Sequence, residues 1–185
     1  MSKCSIPEIV FMARAGDEEP EDGGCSIGGH WLPMKTTEMF KNKRVVVFSL
    51  PGAYTPTCST YQLPGFEENY KKIQSMGVDE VYVSSVNDGF VMNAWSKDQN
   101  IENVKLIPDG NAYFTRSMGY LVNKSNLGFG QRSWRYAAVV DNGIIEKIFV
   151  EEGMRDNADT DPYEVSTPEN VFEYVKSTVR EPAPV

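Results

Sequence analysis

Of the cysteines at positions 4, 25 and 58, Cys58 sits where a sulfur has the most chemistry within reach. It closes the run Pro51-Gly52-Ala53-Tyr54-Thr55-Pro56-Thr57-Cys58-Ser59, between a β-branched stretch and a helical pattern. In open α/β sheets, ligands bind just past the carboxyl ends of strands. A cysteine near a helix N-terminus meets unpaired backbone N–H groups and the positive end of the helix dipole. Both favour the nucleophilic thiolate over the thiol. Position alone leaves two readings open, a reactive thiolate or the small buried hydrophobe that most free cysteines are.

The residues around the chain narrow the chemistry. A cysteine hydrolase needs an imidazole as base, and the only histidine is His30, in an irregular N-terminal segment. A phosphatase-type loop would place Arg six positions after the cysteine, where this chain has Pro64. Cys4, Cys25, His30 and Cys58 lack the paired spacing of a zinc site, and no cofactor-binding motif is read. A dithiol oxidoreductase wants Cys-x-x-Cys, but Thr55 and Tyr61 occupy the two positions that would complete it. Redox chemistry on a single thiolate survives these eliminations.

Such a sulfur needs a scaffold. Arg44-Val45-Val46-Val47-Phe48-Ser49-Leu50 is a continuous β-branched and aromatic run closed by Pro51-Gly52, the pattern of a strand buried on both faces. Phe66, Tyr70 and Ile73 then share a face at helical spacing, with Glu67–Lys71 and Glu68–Lys72 at i,i+4 outside and Gly77 as the stop. The alternation repeats: a strand over 81–86, a helix opening at Phe90, a short strand at Leu106-Ile107, and a helix from Phe114 to Leu121. Residues 136–140 and 144–150 flank Asp141-Asn142-Gly143, an antiparallel hairpin with a strong turn signal. A last helix starts at Ser166-Thr167-Pro168-Glu169, with a hydroxyl cap and Pro at the first helical position. Residues 1–30 read as an N-terminal strand, a loop and a hairpin return near Trp31. The order βαβαβ, hairpin, helix predicts a single α/β domain over 1–185: a thioredoxin-like fold with a mixed central sheet, helices on both faces and an N-terminal strand/hairpin extension.

Length and charge agree with this and exclude other classes. A chain of 185 residues is long enough to bury a core without staples. Eighteen Lys and Arg against 26 Asp and Glu leave a net charge of −8, which disfavours a phosphate backbone as partner. The acidic runs 17–22 and 151–161 read as solvated loops. No stretch approaches the roughly 18 apolar residues of a membrane span. Three unpaired cysteines and no signal-like N-terminus predict a reducing, cytoplasmic setting.

The motif carries a resemblance. Pro51-x-x-x-Thr55-x-x-Cys58 resembles the active-site motif of the peroxiredoxins, thiol peroxidases on a thioredoxin fold. The longer run from Phe48 to Cys58, with Leu63-Pro64-Gly65-Phe66, Ser85-Val86-Asn87-Asp88, Trp95, Pro108-Asp109-Gly110 and Gly130 through Tyr136, is similar to the type-five subfamily. The likeness runs over roughly residues 30 to 180. It is greatest to the peroxidase half of bacterial peroxiredoxin–glutaredoxin fusions, without a glutaredoxin domain. It implies Cys58 as the peroxidatic nucleophile, ending as sulfenic acid, Thr55 aiming a hydroxyl at thiolate and peroxide, and Pro51 shielding the sulfur. It implies Arg135 as the guanidinium that stabilises the thiolate and the departing oxygen, with Arg132 structural. On the residues alone, Thr55 is an ordinary helix cap and Arg135 a surface strand cation.

Two features depart from the family pattern. The fourth residue after the peroxidatic cysteine, often His, is Gln62, and no cysteine follows Cys58. An internal disulfide could use only Cys25 or Cys4, so the expectation is one-Cys catalysis on hydrogen peroxide and small alkyl hydroperoxides. Glutathione with glutaredoxin, or another thiol system such as thioredoxin, would recycle the sulfenic acid. Tyr54, Leu63, Phe129 and Trp134 are read either as an apolar pocket rim that admits organic peroxides or as core or dimer-interface residues, and a homodimer is implied by resemblance. A competing reading makes Cys58 a redox switch or holdase without efficient turnover.

Overall fold

Residues that avoid alternation build the centre of the molecule, because a strand covered on both faces has no solvent side. A computed structural model describes residues 4–15 and 30–179. The chain forms β1 (Val10–Ala15), β2 (His30–Lys35), α1 (Thr36–Met39) and β3 (Arg44–Ser49), then α2 (Leu63–Gln74), β4 (Glu80–Ser85) and α3 (Gly89–Asp98). It continues with β5 (Lys105–Pro108), α4 (Tyr113–Ser117), β6 (Leu121–Asn123), β7 (Gln131–Ser133), β8 (Tyr136–Asp141), β9 (Ile144–Val150) and α5 (Pro168–Ser177). Five strands make one sheet in the order β5-β4-β3-β8-β9. β3 runs parallel to β4 and β4 to β5, while β8 is antiparallel to both β3 and β9. This is the mixed, thioredoxin-like sheet expected from the element order. The N-terminal pairing also holds, with β1 antiparallel to β2 and Arg14 opposite Trp31.

Successive residues of β3 feed two cores. Val46 and Phe48 point into a layer with Leu63, Phe66, Ile73, Trp95, Val171 and Val175, which brings α2, α3 and α5 onto one face. Val45 and Val47 point the other way, toward Phe11, Met39, Phe40 and Phe114 beneath α1 and α4. Phe48 stacks on Phe66 at 4.0 Å between ring centroids, so the helix that follows the site is seated on the strand that precedes it.

Two helices differ from the sequence reading. The helix after β3 begins well before Phe66, with a π-helical turn over Cys58–Gln62 running straight into α2. Pro64 supplies the reason: it has no N–H to donate and its ring crowds the carbonyl four residues back, so the chain widens and Leu63 N–H bonds to Cys58 C=O instead. The helix expected over Phe114–Leu121 ends at Ser117, because Gly119 adopts φ 82° and turns the chain. Leu121–Asn123 then pairs with Gln131–Ser133 as a two-stranded ribbon. At α5 the cap is the Thr167 hydroxyl, which accepts from Asn170 N–H. The loop expected between β1 and β2, with Cys25 and the first acidic run, lies outside the described residues.

Glu67 anchors α2 from its outer side. Its carboxylate accepts from the backbone N–H groups of Glu102, Asn103 and Val104 and from the Asn103 side chain. Burial, the largest influence, works against the charged form, but these four donors outweigh it and hold the carboxyl below its ordinary value of 4.5. A depressed folded-state value means stability present above the unfolded value and lost as pH falls through the folded one. A Glu67→Gln chain is therefore expected to melt lower than the parent at pH 7, with the gap closing as pH drops below about 4.5, followed by thermal denaturation across pH.

Candidate active site

The chain leaves β3 at Ser49 and turns at Gly52, whose carbonyl accepts both the Thr55 N–H and, at 2.8 Å, the Thr55 hydroxyl. A Cβ on Gly52 would approach Thr55 Cγ2 to 3.2 Å, so a side chain there would require the Thr55 methyl to give. Ala53 N–H donates to Asn87 Oδ1, which also accepts from Ser85 Oγ, and this ties the turn to the end of β4. Arg132 donates to the Phe129 and Val86 carbonyls and braces the same corner, as a structural residue would. The turn thus delivers Cys58, wholly buried, to the first turn of the helix. Behind it Trp95 Nε1 donates to Ser59 Oγ at 3.0 Å.

Arg135, immediately before β8, is 1% exposed and meets Cys58 from across the sheet. Its Nη1 lies 3.5 Å from Cys58 Sγ and also donates to Gln62 Oε1, while Nη2 donates to Asp161 Oδ1 at 2.5 Å. The Tyr163 ring lies 5.6 Å from the guanidinium carbon. Burial alone would pull Arg135 below its ordinary range. The Cys58 sulfur and the Asp161 carboxylate outweigh it and leave the guanidinium firmly charged. Burial, followed by the Glu169 charge, pushes the Tyr163 phenol up, so it stands beside Arg135 as a neutral ring. Two donors in this cluster, Arg135 Nε and Gln62 Nε2, are buried without an acceptor. Because Arg only donates, Gln62 must turn its oxygen to Arg135, which fixes the idle amide nitrogen.

Asp161 comes from a loop the sequence reading left to solvent, and that reading needs correction at two residues. Glu151, 2% exposed, is the loop's clasp: its carboxylate accepts from the N–H groups of Glu164, Val165 and Ser166 and from the Ser166 hydroxyl. The Trp134 indole donates to the Glu151 carbonyl at 2.7 Å. A cavity of about 270 Å³ opens on the turn that leads into Cys58, lined by Pro51, Thr55, Thr57, Leu127, Phe129 and the 158–161 segment among others, while Cys58 itself lies buried behind it. Of the four residues read as rim or core, only Phe129 lines it; Leu63 and Trp134 are core, and Tyr54 points to solvent. Thr55 reaches the cavity, but its hydroxyl proton goes to Gly52 rather than to the sulfur.

A thiol held against a guanidinium at the end of a central strand can be compared with known proteins. The redoxin family profile matches residues 20–164. The chain belongs to the redoxin family. A peroxiredoxin of Rhizobium etli is 53% identical over 176 residues, covering 93% of this chain and 94% of the relative. Hybrid peroxiredoxin hyPrx5 of Haemophilus influenzae is 46% identical over 175 residues, covering 95% of this chain and 66% of the relative. The crystal structure of the Plasmodium falciparum antioxidant protein, a 1-Cys peroxiredoxin, superposes with a TM-score of 0.84 at 39% identity, over 95% of this chain and 99% of that one. The chain is accordingly a peroxiredoxin, a thiol peroxidase. Sequence reasoning singled out Cys58 and Arg135, which the fold brings to 3.5 Å of each other, but missed Gln62 and Asp161 as their partners. A signal for Gln62 existed, since it lies one helical turn after Cys58; for Asp161, 26 residues beyond Arg135, there was none.

Proposed function

We propose that this peroxiredoxin reduces hydrogen peroxide and small alkyl hydroperoxides by one-Cys catalysis, with Cys58 as the peroxidatic residue. The observation that carries the reading is the Arg135 Nη1 donor 3.5 Å from the buried Cys58 sulfur. The thiolate sulfur attacks one peroxide oxygen, the O–O bond breaks, and the departing oxygen takes a proton to leave as water or alcohol. Cys58 is left as the sulfenic acid. Arg135 stabilises the charge moving onto that oxygen. Pro51 walls off water, and Thr55 orients the peroxide through its oxygen. A thiol then condenses with the sulfenic acid, releasing water, and a second thiol frees Cys58. Glutathione with glutaredoxin fits that sequence, since Cys4 is an exposed free thiol and no cysteine follows Cys58. A single domain over 1–185, a homodimer and a cytoplasmic setting belong to the same reading; among the described residues no helix is long and apolar enough to cross a membrane.

The deciding experiment is intact mass and peptide mapping after one equivalent of hydrogen peroxide with a sulfenic-acid trap present. An adduct on Cys58 with Cys4 and Cys25 free is expected. A disulfide from Cys58 to either would overturn the one-Cys assignment, and an unmodified Cys58 would overturn the whole reading. Gln62 offers a finer check. Gln62→Met keeps the bulk but removes the acceptor that holds Arg135 Nη1. Loss of one hydrogen bond to a charged group, about 1.5 kcal/mol, should slow peroxide reduction about tenfold. Alkylation of Cys58, which breaks no O–O bond, should slow less; equal slowing of both would count against Gln62 as a positioning residue.

A further inference from the structure

The cavity on the turn that leads into Cys58 also counts among its lining residues Lys124, a cation that peroxide reduction as described does not use. Lys124, just after β6, is 2% exposed and is one of the largest fully buried side chains. An ammonium carries three donors. One of them reaches the Thr160 carbonyl at a long 3.5 Å, and the nitrogen sits 5.1 Å from the Trp134 ring centroid. Among the described residues no carboxylate pairs with it. A buried charge with two idle donors is costly unless something completes its shell. The rest of the lining is largely apolar, from Pro51, Leu127 and Phe129, and the volume of about 270 Å³ suits a short organic chain rather than a drug-sized ligand.

We propose that Lys124 makes this cavity a subsite for a carboxylate borne on a short apolar chain. The inference rests on the assignment of Cys58 as the peroxidatic residue. The carboxylate belongs either to an organic hydroperoxide or to the thiol that reduces the sulfenic acid. In the first case Cys58 takes the terminal peroxide oxygen and a hydroxy acid leaves. In the second the thiol sulfur bonds to Cys58 as the S–O bond breaks and water leaves. Without Lys124 an anion has every reason to stay away. The chain carries −8, and Asp159 and Asp161 both line the cavity. Asp161 is already matched by Arg135, and the Asp159 side chain is 87% exposed, so Lys124 is the unmatched charge in the wall.

The test compares 6-hydroperoxyhexanoate with its methyl ester as oxidants of the reduced protein, each rate being divided by that protein's own rate with hydrogen peroxide. A parallel arm compares 3-mercaptopropionate with its methyl ester as reductants of the peroxide-oxidised protein, at equal thiolate concentration. The wild-type chain is expected to prefer the acid about tenfold in one arm, equivalent to about 1.4 kcal/mol, and the K124M chain to lose that preference. Preference in the first arm places the carboxylate on the peroxide, and preference in the second places it on the thiol. An ester that matches or outruns the acid in both arms of the wild-type protein overturns the inference, as does an acid preference that survives in K124M. The wild-type ratios decide the matter even if K124M fails to fold. Failure of hydrogen peroxide itself to oxidise Cys58 would be a different result, one that removes the peroxidatic assignment on which this rests.

Discussion

A Cys58→Ser chain is expected to consume hydrogen peroxide no faster than the thiol buffer around it, the largest effect any single substitution here should have. A hydroxyl is not deprotonated by a nearby guanidinium at neutral pH and does not accept an oxygen atom, so both halves of the cycle stop at once. The swap is nearly isosteric, but it places a hydroxyl in a fully buried position against Leu63 and the core above β3. A stability cost of about 1–3 kcal/mol belongs with the activity loss, and a thermal melt alongside the assay separates the two. Cys4→Ser and Cys25→Ser are expected to keep parental turnover. Residual catalysis in Cys58→Ser, or loss of turnover in Cys25→Ser, would show the essential sulfur to be misassigned or incomplete.

Arg135→Met should give the second-largest loss, a fall of about 10²–10³-fold in the rate constant for hydrogen peroxide, or some 2.7–4 kcal/mol. The guanidinium is placed before the reaction begins, gripped by Gln62 on one nitrogen and Asp161 on the other, so no reorganisation is needed as charge leaves the sulfur. Methionine fills the space but abandons both acceptors. Asp161, 40% exposed, can turn to water, whereas the buried Gln62 oxygen cannot, and that unpaired group should cost about 1–3 kcal/mol of stability. Arg135→Lys keeps a charge but not the planar fork, and should fall between parent and Met. Stopped-flow oxidation of Cys58 measures all three; a loss under threefold in Arg135→Met would remove Arg135 from the chemistry.

Much of this architecture was legible because it rests on local pattern. The unbroken run over β3 announces a strand covered on both faces. Asn142-Gly143 announces the β8–β9 turn, where both residues take positive φ, 46° and 78°. What stayed hidden depends on distance along the chain. Glu151 and Asp161 share an acidic run with solvated neighbours, and no local rule says which carboxylates fold inward to backbone donors or to Arg135. Lys124 beside Asn123 and Ser125 reads as any surface lysine until the loop from Glu151 closes over it. The helical spacing became legible only from Phe66, because upstream of Pro64 the chain kept its helix by widening one turn and so left the 3.6-residue period.

That widened turn is also a matter of phase. At 3.6 residues per turn, the five steps from Cys58 to Leu63 would overshoot a full circle by about 140°. In an unbroken α-helix the sulfur would then sit about 100° off the middle of the stripe of Leu63, Phe66, Tyr70 and Ile73. The extra residue absorbed at Cys58–Gln62 cancels most of that error, so Cys58 rides on the same buried face as the residues that seat the helix on the sheet. The sulfur's address is therefore written in a residue count as much as in a residue type: removing one residue from the exposed 60–61 stretch would leave four steps of ordinary α-helix, about 40° past a full circle, and keep the sulfur on its face without the widened turn.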